Sequence, residues 1–258
     1  MRKLLKYAYK TILPEKIRAL LDVYPTIRDQ KLPDNTLEER KILVLSPHPD
    51  DDIFGCGGTL HRYSLIKTDI MSVYMTDGRK GNAKYQEEDL VALRKKEAEN
   101  AAGIIGIGRT IFLDNRDSEL ALSSKTLNDL ADIFNAFKPD AVFIPFLLDN
   151  HPDHIETNKI FYEASKILPS FTCYAYCVWS PLTFFNLNVD ITPYIQLKRR
   201  ALEGHTSQLE TYDYVDASLG LSKYYSALHD KTKKNSWSEV YVVCKSDEYR
   251  RLLELAYV

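Results

Sequence analysis

The segment Ser46-Pro47-His48-Pro49-Asp50-Asp51-Asp52 sets one imidazole and three carboxylates directly after the apolar run 41–45. A second group, His151-Pro152-Asp153-His154, follows another apolar run at 141–146. Imidazole nitrogen and carboxylate oxygen are the donors of hydrolytic zinc sites, which take three protein ligands and keep a fourth position for water. His48 and Asp51 with one histidine of the second group meet that count. The two stand three apart in a tight turn, so both can bend toward one ion. Asp50, between them, stays free to take a proton from water. Pro47 and Pro49 stiffen the turn and reduce the entropy lost in assembling it. In the second group His154 is expected to open a helix and His151 to lie beside the metal. A charged His151 could hydrogen-bond a developing oxyanion, with Asp153 holding its ring and raising its pKa. A capping or surface role would account for any one of these residues alone, but two such groups at strand ends argue for one shared site.

The elements that must bring the two groups together are legible in the hydrophobic pattern. Strand-like runs occupy 41–46, 69–75, 110–113, 141–144 and 172–179. Helical spacing falls near 53–66, 87–105, 123–137 and 154–168, as in Leu127, Leu130, Ile133, Phe134 and Phe137. This alternation implies right-handed βαβ crossovers and an α/β fold: a Rossmann-like, mostly parallel sheet with helices on both faces, in a single domain. Ligands in such sheets bind beyond the carboxyl ends of the strands. Both His/Asp groups fall there, and so does Thr76-Asp77-Gly78 after the second strand.

At 258 residues with 45% hydrophobic and 27% charged residues, the chain has the profile of one large globular domain. A formal net charge of -2 argues against electrostatic binding of nucleic acid. The four cysteines, Cys56, Cys173, Cys177 and Cys244, show no C-x-x-C spacing and are expected to be reduced thiols in a cytoplasmic protein. Cys173 and Cys177 would point to the same sheet face, where packing is their expected role. Residues 1–31 carry an excess of five positive charges interleaved with Leu4, Leu5, Tyr7, Ala8, Ile12 and Leu13. A basic amphipathic helix of this kind either packs on the domain or rests on an anionic membrane surface, peripheral to its inner face, and is too short to span it. Residues 1–40 are thus expected to form an extension and linker, and 41–258 the main domain.

Several motifs resemble, in order, those of the PIG-L or LmbE-like family of metal-dependent de-N-acetylases. The His48 turn is similar to the family's first motif, H-P-D-D-E, and 151–154 to its H-P-D-H motif. Thr76-Asp77-Gly78 resembles its second-strand turn. Arg94-Lys-Lys-Glu97-Ala98 resembles its R-x-x-E-A helix, and 112–117 its acidic loop. Lys198 to Gln208 is similar to its K-x-x-A-L-x-x-H-x-S-Q helix. The resemblance covers about residues 41 to 210. It implies that His48, Asp51 and His154 bind zinc, with Fe2+ as the alternative metal, and that Asp50 is the general base. It also implies that His151 stabilises the tetrahedral intermediate or protonates the leaving amine. Arg94 and Asp117 would bind substrate, although by pattern alone Arg94 could pair with Glu97 along its helix. His205 and Gln208 would line the site or position their helix. Asp52 stands where the family usually has Glu and is expected outside the ligand set.

The activity so implied is hydrolysis of an N-acetyl group from an N-acetylglucosamine-type sugar or glycoconjugate, such as a cell-surface glycan precursor. Two rivals are a nucleotide-sugar glycosyltransferase holding Mg or Mn on Asp50-Asp51-Asp52, and a non-catalytic carbohydrate-binding module. The first would leave His48 and His154 without a task.

Overall fold

The computed structural model describes residues 38–257 apart from 231 and 233. The basic segment 1–31, and with it the expected membrane contact, lies outside the described residues. Its elements are β1 (Lys41–Ser46), α1 (Asp51–Leu65), β2 (Asp69–Thr76), α2 (Glu87–Ile105), β3 (Arg109–Asn115), α3 (Ser124–Phe137), β4 (Ala141–Pro145) and α4 (Pro152–Ala164). They continue with β5 (Thr172–Tyr176), β6 (Leu187–Asp190), α5 (Ile195–Glu203), α6 (Thr206–Leu209), α7 (Tyr214–His229), β7 (Ser238–Lys245) and α8 (Ser246–Tyr257).

The seven strands form one sheet in the order β3-β2-β1-β4-β5-β7-β6. β1 pairs in parallel with both β2 and β4, β2 with β3 and β4 with β5; β7 runs antiparallel to β5 and β6. Successive side chains of a strand point to opposite faces, and here both faces are buried. Leu43 and Leu45 join one apolar layer with Val142, Ile144, Cys173, Phe134 and Phe161. Ile42 and Val44 join the other with Phe143, Tyr174, Tyr241, Leu60 and Ile105. Near-continuous apolar strands with helices on both sides are what a parallel sheet requires.

The expected α/β architecture and the first four strands and helices are therefore present. β6 and β7 were not anticipated, because the parallel repeat gives no signal for an antiparallel edge. The fifth strand ends at Tyr176 rather than Trp179. Past Pro145 its neighbour β4 has turned away, leaving the Phe146 amide on the Tyr176 carbonyl at 2.7 Å as the last rung. All four cysteines are free and buried. Cys173 and Cys177 do share one apolar layer.

Beneath α1 lies a fully buried ion pair. Lys198 of α5 donates to Glu239 of β7 at 2.7 Å and to the Phe54 carbonyl at 2.7 Å. Glu239 also accepts from the Gly58 and Thr59 amides at 2.9 and 2.7 Å and from the Tyr241 hydroxyl at 3.0 Å. The close seat of α1 on this side depends on Gly58, whose missing Cβ would lie 2.7 Å from Ile191. Removing one partner of a buried pair strands the other charge, at a cost of about 3–5 kcal/mol. Lys198→Met should lower stability by that order in urea unfolding. Lys125→Ala, which breaks the exposed pair with Asp129, should change it by less than about 1 kcal/mol. Equal small effects would show that the buried pair does not secure α1.

Candidate metal and catalytic centre

β1 and β4 are sheet neighbours, and their chains leave toward opposite sides of the order, β1 toward β2 and β4 toward β5. A crevice opens at such a switch point, beyond the carboxyl ends of the strands. The loop after β1 carries 47–50 into α1, and the loop after β4 carries 146–151 into α4. Both helices start at the crevice, so the positive ends of their dipoles face it and favour carboxylates there. Asp50 is the N-cap of α1, with Asp51 and Asp52 in its first turn. His151 is the N-cap of α4, and Pro152 occupies its first turn, where a missing N–H costs nothing. The helix thus opens two residues before the expected His154.

The two groups meet as the sequence predicts. Asp51 Oδ2 lies 3.0 Å from His48 Nδ1 and 3.2 Å from His154 Nε2, and it accepts the His48 backbone N–H at 2.9 Å. The His48 and His151 rings stand edge-on with centroids 4.6 Å apart, and His151 lies 5.0 Å from His154. Each of the two rings that flank Asp51 has a carboxylate behind its other nitrogen. Asp153 Oδ2 is 3.2 Å from His48 Nε2, and Asp149 Oδ2 is 3.4 Å from His154 Nδ1. Backbone amides hold both carboxylates: Ser118 N–H donates to Asp153 at 2.8 Å and Trp179 N–H to Asp149 at 3.0 Å. Asp117 approaches His48 Nε2 at 3.5 Å and accepts the Lys80 amide at 3.1 Å.

The expected pairing of Asp153 with His151 is not made. The His151 ring accepts a hydrogen bond at Nδ1 from the Asp153 backbone N–H at 3.2 Å, while the Asp153 carboxylate faces His48. The cause is the helix cap, which turns the His151 ring back over the first turn of α4. The pKa of His151 is accordingly lowered, by burial first and then by the charges of His48 and His154, rather than raised by Asp153. Burial opposes charge on His48, yet Asp117, Asp153 and Asp51 outweigh it and hold its pKa well above the ordinary value. His154 is also raised, Asp51 and Asp149 prevailing over burial. Burial would raise Asp51 and Asp117, but the neighbouring imidazoles bring both below the usual carboxylate range.

This surplus of buried carboxylates around neutral-capable imidazoles suits a divalent cation. His154 is completely buried, yet neither of its ring nitrogens forms a geometrically sound hydrogen bond among the described residues. Donors around a tetrahedral ion at about 2.0–2.2 Å stand roughly 3.3–3.6 Å from one another, near the separations found about Asp51. The donor groups that lie within 4.8 Å among the described residues are His48, His151 and His154, and His48, Asp117 and Asp153; the expected set of His48, Asp51 and His154 is not one of them.

The remaining expected residues line one cavity of about 220 Å3 against this cluster. Arg94 pairs with Asp50 at 3.0 Å and donates to the Gly78 carbonyl at 3.0 Å. It makes no pair with Glu97, which instead accepts from Thr206 and Ser207. Gly78 has φ +68, and a Cβ there would lie 2.5 Å from the guanidinium, so the Thr76-Asp77-Gly78 turn exists to let Arg94 pass. His205 sits where the expected single late helix breaks into α5 and α6. It is buried, lines the cavity and leaves both ring nitrogens without a partner among the described residues. Asp52 points away from the site, accepting from Ser72 and Tyr74 on β2 at 2.7 and 2.9 Å, and burial against those hydrogen bonds brings its pKa to about 6. The three consecutive carboxylates thus diverge to three destinations. That removes the cluster needed by the glycosyltransferase alternative.

Sequence reasoning missed Asp149 and the aromatic wall of Trp179 and Tyr214. Asp149 had a usable signal, an acidic side chain five residues before His154 on the loop that leads into α4. Trp179 had none, lying in a run that reads as strand.

Among proteins of known function, the chain is 26% identical over 202 residues to the diacetylchitobiose deacetylase of Thermococcus kodakarensis, covering 70% of this chain and 74% of that one. It is 26% identical over 196 residues to the probable N-acetyl-alpha-D-glucosaminyl L-malate deacetylase 2 of Bacillus anthracis, covering 67% and 83%. The solved N,N'-diacetylchitobiose deacetylase of Pyrococcus horikoshii superimposes with a TM-score of 0.71 at 25% identity, over 91% of this chain and 94% of that one. Residues 43–165, which hold both His/Asp groups, match the family described as PIG-L, GlcNAc-PI de-N-acetylase. Through these residues the chain is similar to the PIG-L, LmbE-like de-N-acetylases.

Proposed function

We propose that this protein is a zinc-dependent hydrolase that removes the acetyl group from an N-acetylglucosamine-type sugar or glycoconjugate. The observation that carries the reading is the Asp51 oxygen between His48 Nδ1 and His154 Nε2, with Asp153 and Asp149 behind the opposite nitrogens. Metal-bound histidines are oriented in this way, donating their second N–H to a carboxylate. In the set His48, Asp51 and His154 each ring has a carboxylate behind its second nitrogen, in hydrogen-bond contact for His48 at 3.2 Å and only nearby for His154 at 3.4 Å. A divalent metal held there, zinc or Fe2+, supplies Lewis acidity and brings the pKa of water toward neutrality.

The chain's own groups perform the proton and charge work. Asp50 opens on the cavity, and its pairing with Arg94 keeps it aimed there, so it takes the proton from the attacking water. Attack on the acetyl carbonyl places negative charge on oxygen. His151, half-buried at the N-terminus of α4, faces that charge and hydrogen-bonds it, and the proton that Asp50 took from water passes to the leaving amine. Arg94 and Asp117 line the cavity where sugar hydroxyls would lie, and His205 offers a ring nitrogen to the same space. The sugar-binding module without chemistry is disfavoured by this set, since binding alone has no use for Asp50 beside a metal.

No helix among the described residues is long and apolar enough to cross a membrane. The four free cysteines favour a reducing, cytoplasmic setting. A membrane role for residues 1–31 is an extension of this reading. Liposome co-sedimentation of the full chain and of a form lacking those residues measures it.

Acetate release from a panel of N-acetylated sugars should occur, cease with a chelator and return on adding zinc. Release unaffected by chelation would contradict the metal-dependent reading. Asp50→Asn should lower turnover by on the order of 100- to 10000-fold while keeping its metal. A normal rate in that variant would assign the base elsewhere.

A further inference from the structure

We propose that Glu97 is a positioning residue that turns the His205 ring into the cavity, where His205 hydrogen-bonds a ring hydroxyl of the acetamido sugar. The inference deepens the deacetylase reading and rests on it.

His205 is 3% exposed and lines the cavity, and neither of its ring nitrogens has a partner among the described residues. Buried polar groups are almost always hydrogen-bonded, because an unpaired one gives up its hydration without return. A histidine kept for packing would be tied to a neighbour. Glu97 of α2 is close enough to act on the ring electrostatically, yet it spends its oxygens elsewhere. It accepts from the Thr206 hydroxyl at 2.8 Å and from the Ser207 amide and hydroxyl at 2.8 and 2.6 Å. The imidazole is left to the cavity.

These bonds fix the turn that carries the ring. Helix α5 ends at Glu203 and α6 starts at Thr206, so His205 stands at the break. Two residues on, Ser207 is held from both sides. Glu97 takes its amide and hydroxyl, and Asn82, on the loop after β2, donates to its carbonyl at 2.7 Å. The same loop packs so tightly here that a Cβ on Gly81 would lie 2.5 Å from Gln208 Oε1. Arg94, one turn before Glu97 on α2, pairs with Asp50. One helix therefore holds both Asp50 and the His205 turn, which limits the ordering cost of binding.

The chemistry of the ring selects its partner. Burial lowers the pKa of His205, and the opposing pulls of Asp50 and Arg94 do not reverse this, so the imidazole is neutral. A neutral imidazole offers one N–H and one acceptor nitrogen, whereas Arg94 only donates and an ionised Asp117 only accepts. A hydroxyl both donates and accepts, and the ring can meet it in either sense. The acetyl carbonyl belongs, in the proposed reaction, to the metal and His151. A pyranose hydroxyl is the group that fits His205, and a sugar lacking it would leave the ring unpaired, a loss that such sites discriminate against.

The test uses the zinc-loaded full chain with N-acetylglucosamine and its 3-deoxy, 4-deoxy and 6-deoxy analogues. Calorimetric binding and acetate release are measured for the wild type, His205→Ala, Glu97→Gln, the double variant and Ser207→Ala. The wild type should take one deoxy analogue on the order of tenfold more weakly than the parent sugar, with the loss in KM rather than kcat. His205→Ala should bring that ratio near one, Glu97→Gln should do most of the same, and combining them should add nothing further. Ser207→Ala, which keeps the amide that Glu97 holds, should erode the ratio in part and carries the positioning test if Glu97→Gln does not fold. A general structural loss, weakening all four sugars alike with the ratio in place, would overturn the proposal. An unchanged ratio in His205→Ala would overturn the contact, and an unchanged ratio in folded Glu97→Gln would overturn the positioning. Discrimination that His205→Ala abolishes, with no acetate released by the wild type, would uphold the contact while refuting the hydrolysis. Acetate release with no discrimination among the four sugars would do the reverse.

Discussion

One oxygen of Asp51 stands between two imidazoles that reach it from different strands, and most of the architecture serves that meeting. His48 and His154 are separated in the chain by α1, β2, α2, β3, α3 and β4, yet β1 and β4 are hydrogen-bonded neighbours. The chain builds β2 and β3 to one side of β1, then crosses back to lay β4 on the other. At that reversal the two loops part and leave a crevice. The N-termini of α1 and α4 open on it together, which places the first turns of two helices, and the carboxylates they favour, around the same point.

Concentrating carboxylates in a dry crevice is costly unless each is satisfied. Here the cost is offset locally. Asp51 accepts the His48 amide, Asp153 the Ser118 amide, Asp117 the Lys80 amide and Asp149 the Trp179 amide. These bonds come from loops after β1, β2, β3, β4 and β5, so all five parallel strands contribute to one electrostatic arrangement. The imidazoles are then left as the groups whose charge adjusts, and a bound cation would answer the remaining excess. Asp50 stands slightly apart, on Arg94 rather than on a histidine, which under the proposed function would separate proton transfer from ligation.

What could be read from the sequence follows from how its signals repeat. The strand and helix periods placed 41–46 and 141–144 correctly, and H-x-D-D spacing within one turn was enough to bring His48 and Asp51 together. The partner of Asp153 was not legible, because it depends on which way the α4 cap turns the His151 ring. Asp117 was expected at the substrate, and its approach to His48 became visible only through packing of loops that are distant in the chain. Trp179 was read as strand because its run is apolar and aromatic, whereas the loss of a neighbouring strand beyond Pro145 frees it to stand at the cavity mouth. The break at His205 was likewise hidden in a helical pattern, although it is what turns that ring into the cavity.

The most direct measurement is an anomalous-difference map, at the absorption edge of the metal present, from crystals of the purified active protein. The account predicts one peak bonded to His48, Asp51 and His154 at about 2.0–2.2 Å, with Asp153 and Asp149 behind the two rings. A peak held instead by His48, Asp117 and Asp153, or fully active crystals with no peak, would contradict it.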